Sequence, residues 1–459
     1  MLTLITGKAG TGKTSAVIDE INEAVGRREG QRLLIVPEQY SHEAERELGR
    51  VCGDSVSRYA EVFSFTGLAR RLRSELGGGA AKHLDKGGRL LCMALAAASV
   101  GSRLRVYSAA ARRAELQALL LGAVDELKAS CITSEELAAA AAELDDSLGD
   151  KLADLALISE AYDAVVANGN ADPADALTVL AQQIPESRIG AAYHIYIDGF
   201  IDFTAQEAAV IRALMSRGAD VSVCLTVDSL ADGSEVFALS RRAGRALSAM
   251  ADELGVQQRE IRLDGASGKC ASLRFFADNM FSYSSARFEG ECAVELVTAE
   301  SVSAECELAA AKALELVRER GARWRDIAVA VRGFDDYRGT LESIFRHYGV
   351  PLFTAKKSEL LYKPLPLLVS LAYEIVGGGW DIDDVISYMH TGLTGLTAEE
   401  CDELEAYIFK WQLRGGAWAR PDDWRQHPDG YGAEYDKETD ARLERINALR
   451  RRLAAPLLD

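Results

Sequence analysis

The sequence predicts an α/β protein in which parallel sheets are interrupted by mainly helical insertions. Three observations favour this class. A glycine-rich loop joins a short strand to a helix at the start of the chain, strands and helices alternate on both sides of an Ala- and Leu-rich stretch, and the chain is mainly helical from residue 364 onward. We therefore expect two α/β domains, each carrying a helical insertion.

The composition excludes several classes of protein. The 459 residues carry a formal net charge of −18, so any contact with nucleic acid has to use local basic patches in an acidic background. Hydrophobic residues make up 48%, which is too many for a disordered chain, and no apolar run approaches the ~20 residues that span a bilayer. The eight cysteines include no C-x-x-C pair, which gives no support for zinc or a cysteine-ligated iron–sulfur cluster here. The start of the chain lacks signal-peptide features, and we expect a cytoplasmic protein without disulfides.

The first element is a predicted strand at residues 2–5, followed by a G-x4-G-K-[ST] motif and an amphipathic helix. Strand, loop and helix therefore occur in the order that a phosphate-binding loop requires. Glycines let backbone N–H groups point at phosphate oxygens, and the positive end of the helix adds to this. Lys13 would reach the β- and γ-phosphates, and the Thr14 hydroxyl would bind Mg²⁺. The predicted nucleotide-binding residues of this loop are Gly7, Gly10, Thr11, Gly12, Lys13 and Thr14.

The strand–helix pattern continues after this loop. Residues 32–36 form an apolar run that suits a parallel strand buried on both faces. Residues 62–65 are the third predicted strand, and Thr66 is placed to cap the helix that follows. Residues 108–183 then change to helical periodicity, which predicts a helical insertion into the sheet.

The sheet pattern resumes with an apolar strand at residues 193–198 that ends in an acidic residue. This is the form of a Walker B strand, in which Asp198 would hold Mg²⁺ through water. The alternative is that Asp198 only caps the following loop. A further strand is predicted at residues 221–226.

A second sheet is predicted in the next part of the chain. Residues 295–300 and 326–332 read as strands, the second ending in Arg332, and each is followed by a helix. This second unit has no phosphate loop of its own. The remainder, with several aromatic residues near its end, is predicted to be helical.

This order of domains resembles that of superfamily 1 helicases. Residues 63–68 (FSFTGL) resemble the UvrD-type motif that tracks the DNA backbone, and residues 326–353 resemble the motif through which the second domain approaches ATP. The resemblance implies that Arg332 contacts the γ-phosphate. It also implies that Ser64, Phe65 and Thr66 contact single-stranded DNA through the backbone or by stacking.

Several longer segments resemble the AddB subunit of the AddAB helicase–exonuclease. They cover most of the chain in the order of that family: residues 33–45 (LLIVPEQYSHEAE), 151–177, 196–214 (YIDGFIDFTAQEAAVIRAL) and 380–418. The resemblance implies two RecA-like domains with helical insertions. The implied domains are 1–77 with 186–288 (1A), 78–185 (1B), 289–362 (2A, partial) and 363–459 (2B, partial).

The resemblance also implies a function. The chain would be the N-terminal part of a subunit of an ATP-dependent helicase/deoxyribonuclease that acts in double-strand break repair by recombination. Its cofactors would be ATP and Mg²⁺. Its partners would be single-stranded DNA, scanned for the Chi sequence, and an AddA-type helicase–nuclease subunit. The nuclease domain and the 4Fe–4S cluster of this family are expected in a C-terminal region outside this chain, so we expect no nuclease activity from it.

Departures from an active motor are concentrated after the Walker B strand. Gly199 stands where the family of motors has the glutamate that orients the attacking water, and Ile201 stands where a glutamine would couple nucleotide to DNA. We therefore name no catalytic residue and predict ATP binding with impaired hydrolysis. Two alternatives remain at this point: an active superfamily 1 translocase, and a small-molecule kinase with a phosphate loop. For Trp411, Trp418 and Trp424, roles in a core or an interface are favoured over stacking on bases.

Overall fold

The structure, a computed structural model, describes residues 1–53, 56–77, 82–108, 113–265, 268–280, 284–354, 360 and 363–458. The chain divides into two units, Met1–Leu296 and Val297–Asp459. Each unit is described by itself below. None of the helices in the described ranges is long and apolar enough to cross a bilayer.

A six-stranded parallel sheet is the centre of the first unit. Its strands run in the order β3-β2-β6-β7-β1-β8, and a separate two-stranded ladder joins β4 to β5. The strand bounds are β1 (Leu2–Gly7), β2 (Gln31–Ile35), β3 (Ala60–Phe63), β4 (Lys82–His83), β5 (Asn170–Ala171), β6 (Tyr193–Ile197), β7 (Asp220–Thr226) and β8 (Gln258–Arg262).

The predicted strands of the first sheet are confirmed at residues 2–5, 32–36, 193–198 and 221–226, within one or two residues at each end. The third has the predicted length but lies two residues earlier, at Ala60–Phe63, because Ser64 and not Thr66 caps the following helix through a hydrogen bond from the Gly67 amide. The edge strand β8 was not predicted. Its sequence QREIR is largely charged and all of its residues are exposed, so it lacks the apolar run that marks a buried strand.

Helices cover both faces of this sheet. One face packs on α3, α8, α9 and α10, and the other packs on α1 and α2. The helix bounds in this unit are α1 (Lys13–Arg27), α2 (Ser41–Cys52), α3 (Phe65–Leu76), α4 (Lys86–Val100), α5 (Ala114–Ala129), α6 (Ser134–Ala142), α7 (Ser147–Val166), α8 (Ala176–Gln183), α9 (Ala205–Ser216), α10 (Ala238–Glu253) and α11 (Ala271–Asn279). Because both faces are covered, the central strands are almost continuously apolar.

The described part of residues 108–183 is mainly helical, as predicted, and contains α5 to α8, while the preceding helix α4 shares their core. This shared apolar core includes Met93, Val124 and Tyr162, all fully buried. The buried carboxylate of Asp172 accepts hydrogen bonds from the Tyr162 hydroxyl (3.0 Å) and the Lys128 ammonium (3.2 Å). This ionic cluster fixes the end of the insertion, where β5 leads into α8.

The second unit is mainly helical. Its helices are α12 (Val302–Arg320), α13 (Phe334–His347), α14 (Pro364–Gly378), α15 (Ile382–Met389), α16 (Ala398–Trp411) and α17 (Lys437–Leu458). Trp418 is 2% exposed and stacks on Trp380 with ring centroids 5.7 Å apart, while Trp424 meets Trp418 edge-on at 5.1 Å. The core role favoured for Trp418 and Trp424 is therefore confirmed, and Trp411 is partly buried against the same cluster.

No strand is present at residues 295–300 or 326–332, all of which the structure describes, so these two predictions are wrong. Leu296 is 94% exposed and Val329 is 40% exposed, so neither segment lies in a buried sheet. A parallel strand needs a hydrogen-bonded neighbour as well as an apolar sequence. The described residues of this unit provide helices to pack on but no strand to pair with. The apolar pattern alone was therefore insufficient to predict a strand.

Candidate nucleotide site

The candidate site lies at the edge of the sheet where the parallel strands end. The phosphate loop follows β1 at this edge, and Asp198 follows β6, which is separated from β1 by one strand, β7. Ligands of open parallel sheets bind outside the carboxyl ends of the strands. The fold thus brings together residues 7–14 and Asp198, which are far apart in the sequence.

Lys13 is the first residue of α1, and its side chain is turned back over the phosphate loop. Only 8% of Lys13 is exposed. Its ammonium donates hydrogen bonds to the carbonyl oxygens of Gly7 (2.8 Å) and Lys8 (2.9 Å). Because an ammonium has three N–H donors, a third is left for a phosphate oxygen.

The backbone between Lys8 and Lys13 is tightly curved. Gly10 and Gly12 have φ angles of 82° and 92°, and the Thr11 hydroxyl between them donates to the Lys8 carbonyl at 2.9 Å. Gly12 directly precedes α1, so the loop ends at the helix N-terminus. Successive turns of this kind make backbone concavities that bind anions.

Burial lowers the pKa of Lys13 from its ordinary value. The nearby positive charge of Lys269 lowers it further, whereas Cys224 and the Asp198 carboxylate raise it, and burial outweighs them. A polyphosphate next to this ammonium would favour the charged form. Binding of a polyphosphate at this site would therefore be linked to the protonation of Lys13.

The two predicted Mg²⁺ ligands are in direct contact. The Thr14 hydroxyl donates to Oδ2 of Asp198 at 2.6 Å, and Asp198 is 9% exposed. The Asp198 amide donates to the Ile35 carbonyl at 3.0 Å, which continues the ladder and fixes the residue at the strand end. A hydroxyl beside a carboxylate is an all-oxygen donor set of the kind that Mg²⁺ prefers, so these residues fit the ion.

The buried thiol of Cys224 is a third group at this position that the sequence did not indicate. It lies on β7, the strand between Lys13 and Asp198. Burial raises the pKa of the Cys224 thiol, and the neighbouring Asp198 carboxylate raises it further, so the group stays a neutral thiol. It fills the floor of the site without competing for a metal as a thiolate.

Gly199, which the resemblance aligns with the glutamate of active motors, has its backbone in the left-handed region with φ 83°. A Cβ atom there would lie 3.1 Å from Cδ of Pro37. L-residues with a side chain rarely adopt this φ. A side chain at this position would therefore strain the backbone and crowd Pro37. Two residues further on, Ile201 is 63% exposed.

The segment that follows β7 is held by its own contacts. Asp228 accepts hydrogen bonds from the amides of Ser229 (2.9 Å) and Ser234 (2.8 Å), and Arg241 pairs with it at 3.3 Å. These bonds lower the pKa of Asp228 against the opposing effect of burial. The carboxylate is therefore engaged in fixing this turn.

The three predicted DNA contacts lie at the start of α3, at the same edge of the sheet. The Ser64 hydroxyl accepts from the Gly67 amide at 3.0 Å and so caps the helix, while Thr66 is exposed. Phe65 is 3% exposed and packs edge-on against Phe200, with ring centroids 5.4 Å apart. The Phe65 ring is a core residue in this structure and is not available to stack on a base.

Arg332 belongs to the second unit and lies two residues before the first residue of α13. It is exposed and borders a cavity of about 340 Å³ together with Glu305 and Tyr337. The hydroxyl of Tyr337 donates to the Glu305 carboxylate. Arg332 is thus accessible on its own unit, and a contact with nucleotide remains a prediction.

The segment after β8 also contacts the phosphate loop, and this contact was not predicted. The Lys8 ammonium pairs with Oδ1 of Asp278 at 2.7 Å, and the Lys269 ammonium donates to the Ala9 carbonyl at 2.7 Å. No sequence signal identified these residues, because β8 itself was not recognised. Because β8 pairs with β1 in parallel, the segment that follows β8 lies next to the loop that follows β1.

Comparison with known proteins gives a consistent family. The family described as ADDB, N-terminal, matches residues 4–280. The B subunit of the ATP-dependent helicase/deoxyribonuclease of Desulforudis audaxviator is 35% identical over 483 positions, which cover 100% of this chain and 42% of that protein. The proteins of the same name from Heliobacterium modesticaldum and Acetivibrio thermocellus are 33% and 30% identical, over 99% and 100% of this chain and 39% and 41% of their own lengths.

The chain spans about two fifths of the length of these relatives. The family match covers more than half of the chain and includes the phosphate loop, the Walker B strand and the segment after β8. The relatives extend the similarity through the second unit. This chain therefore belongs to the AddB family, whose members are subunits of ATP-dependent helicase/deoxyribonucleases.

Proposed function

We propose that this chain is the N-terminal helicase-like region of an AddB subunit, and that it binds ATP with Mg²⁺ but hydrolyses ATP poorly. In this proposal it contributes to an ATP-dependent helicase/deoxyribonuclease in double-strand break repair by recombination. Its task is to hold the passing single strand and to scan it for Chi, and its partner is an AddA-type subunit.

A single observation carries the proposal for ATP. Thr14 and Asp198 present adjacent oxygens beside the Lys13 ammonium, which is the arrangement that holds a magnesium–triphosphate. At Gly199, where a motor would place its water-orienting glutamate, the backbone has a positive φ that disfavours a side chain. Binding groups are thus in place next to a position that is poorly suited to hydrolysis.

We propose the domain arrangement implied by the family. Residues 1–77 and 186–288 would form the first RecA-like domain, with 78–185 inserted in it. Residues 289–362 would belong to a second RecA-like domain, with 363–459 as its helical insertion. In this arrangement Arg332 would approach the γ-phosphate from the second domain.

For DNA we propose a contact through the start of α3. Thr66 is exposed there, and Arg70, one turn further along the helix, is also exposed. Ser64 supports this helix end as its cap. Phosphate oxygens are suitable ligands for an exposed hydroxyl, a guanidinium and a helix N-terminus, so a sequence-independent backbone contact is expected.

The test is to measure nucleotide binding and phosphate release with the same protein, with and without single-stranded DNA. We expect saturable Mg-ATP binding that is lost in Lys13→Ala, and phosphate release that DNA does not stimulate. Single-stranded DNA should bind in a salt-sensitive manner, and Thr66→Ala with Arg70→Ala should weaken it. Absence of Mg-ATP binding by the unmodified chain would refute the proposal.

The alternative is an active superfamily 1 translocase, which the intact contacts of Lys13, Thr14 and Asp198 favour. The two proposals differ in one measurement. Phosphate release that single-stranded DNA stimulates and that Lys13→Ala abolishes would establish the translocase and exclude the impaired ATPase.

A further inference from the structure

A cavity of about 390 Å³ lies beside the phosphate loop, at the ends of strands β7, β1 and β8. The loop forms one wall. A second wall is the post-β8 segment, which comprises the described residues 263–265 and 268–279, and Val227 and Asp228 after β7 complete the lining. The volume of the cavity falls within the ~300–1,000 Å³ of pockets that hold small ligands. The cavity and both of its walls belong to the first unit.

The two walls approach each other closely. A Cβ atom at Gly7 would lie 2.6 Å from the backbone carbonyl oxygen of Leu263, so only glycine fits there. Further along, Lys269 reaches across to the Ala9 carbonyl, and Lys8 reaches back to Asp278, each at 2.7 Å. The segment is therefore fixed against the loop at several points.

The charges around the cavity are unevenly compensated. The three carboxylates on its lining have cationic partners: Asp228 pairs with Arg241, Asp264 with Arg262, and Asp278 with Lys8. Two further cations, Lys269 and Arg274, also line the cavity.

Within the described ranges Lys269 and Arg274 form no ion pair. A pair of uncompensated cations facing a phosphate loop favours an anionic ligand between them.

The order of the strands indicates which end of a nucleotide this cavity faces. Strand β1 has β7 on one side, leading to β6 and Asp198, and β8 on the other. The metal and the terminal phosphates would lie toward Asp198. The part of the cavity that Lys269 and Arg274 line follows β8 and is therefore on the side of the α-phosphate and the nucleoside.

We propose that Lys269 and Arg274 bind the α-phosphate and that the post-β8 segment encloses the nucleoside of the bound nucleotide. This inference rests on the proposed nucleotide binding and adds the residues for the other end of the ligand. The position of Lys269 agrees with its effect on Lys13, whose pKa its charge helps to lower. Both ammonium groups donate to carbonyl oxygens of the loop, Lys13 to Gly7 and Lys8, and Lys269 to Ala9.

The test compares the affinities of ATP and ADP, each with Mg²⁺, by calorimetry on the whole chain. Lys269→Ala should weaken both nucleotides about tenfold, because each has the same α-phosphate and a charge-assisted hydrogen bond is lost. Lys269→Arg should retain most of the affinity. Lys151→Ala, which removes an exposed lysine from α7, is the matched control and should change nothing. Thermal unfolding of each variant checks that the fold is intact.

The outcomes separate this inference from the proposed function. If the unmodified chain binds neither nucleotide, both are overturned. If it binds both and Lys13→Ala abolishes binding while Lys269→Ala does not change it, only the present inference is overturned. If Lys269→Ala weakens ATP but not ADP, Lys269 contacts the γ-phosphate and the assignment to the α-phosphate is wrong.

Discussion

The Thr14 hydroxyl and the Asp198 carboxylate meet at 2.6 Å across the end of strand β7. This contact joins the first turn of α1 to the end of β6. It places two oxygen ligands next to each other before any ion has to organise them. The role of this contact can be tested by measuring how the affinity for ATP depends on Mg²⁺.

We expect Asp198→Ala to reduce the affinity for ATP about tenfold in the presence of Mg²⁺ and to leave it unchanged or higher in EDTA. The substitution removes a metal ligand and also a negative charge near the phosphates. Calorimetry with and without Mg²⁺ measures both effects. Asp202→Ala is the control, because Asp202 lies in the same loop but pairs with Arg242. An equal loss of affinity in both conditions would mean that Asp198 only shapes the loop.

Gly199→Glu should fail to create DNA-stimulated hydrolysis and should destabilise the protein by about 1–2 kcal/mol. The left-handed φ at this position is unfavourable for a residue with a Cβ, and Pro37 leaves little room for that atom. Urea unfolding gives the free-energy change, and phosphate release gives the activity.

Gly26→Glu provides the matched control for this substitution. Gly26 is exposed within α1, and a Cβ atom there meets no neighbour within 4 Å. The same side chain should therefore cause no loss of stability at that position. Hydrolysis that appears in Gly199→Glu and responds to DNA would show that the backbone at Gly199 is not the obstacle.

The affinity for ATP should fall at alkaline pH, and the fall should begin below the ordinary pKa of lysine. Burial lowers the pKa of Lys13, so its ammonium loses the proton at a lower pH than an exposed lysine would. The neutral amine no longer attracts phosphate. Titration of ATP from about pH 7 to about pH 10 measures this, and Lys13→Arg should remove the dependence because arginine stays charged. A fall that is the same in Lys13→Arg would assign the effect to another group.

Asp172→Asn should destabilise the helical insertion by about 3–5 kcal/mol at neutral pH. The Asp172 side chain is fully buried, with Nε of Arg89 at 2.8 Å and Nζ of Lys128 at 3.2 Å. The substitution leaves two largely buried cations without this partner. Urea unfolding measures the loss. Asp163→Asn, which removes a half-exposed partner of Lys128, should cost much less.

The loss in Asp172→Asn should shrink in acid. Burial by itself would raise the pKa of Asp172, but the Ala174 amide, Lys128 and Arg89 outweigh it and lower the pKa. A carboxyl whose folded pKa is lowered stabilises the fold above its unfolded pKa of about 3.9 and loses that contribution as the pH falls through the folded pKa. Burial raises the pKa of Asp175, so this residue changes the stability of the fold with pH in the opposite direction. The difference in the free energy of unfolding between the unmodified protein and Asp172→Asn isolates the contribution of Asp172. A difference that stays the same in acid would contradict this account.

The sequence alone was sufficient to predict the positions of the glycine-rich loop and of the buried strands of the first sheet. Their signals are local: the glycine spacing fixes the loop, and a continuous apolar run marks a strand covered on both faces. The contact between Thr14 and Asp198 was predicted only as a shared role for Mg²⁺, and the strand order brings them together. Phe65 shows the opposite case, since a motif resemblance suggested a stacking contact but its ring packs on Phe200.

Other features depend on partners that a sequence pattern does not reveal. Strand β8 is charged and exposed, and its pairing with β1 defines it as a strand. The cavity beside the loop, with Lys269 and Arg274, follows from that pairing and was not predicted. The apolar segment at 326–332 had the composition of a strand, but no described neighbour pairs with it.

The parallel sheet also determines when this protein can fold during its synthesis. Strand β1 is made first, but its neighbours β7 and β8 come much later, and Met1 and Asp220, joined by an ion pair, are 219 positions apart. At about 5–20 residues per second, the ribosome needs roughly ten to forty seconds to produce the first of these partners. During that interval the apolar β1 has neither of its neighbours, whereas the helical insertion can form from local contacts alone. Translation speed and chaperone access are therefore expected to control the yield of this protein.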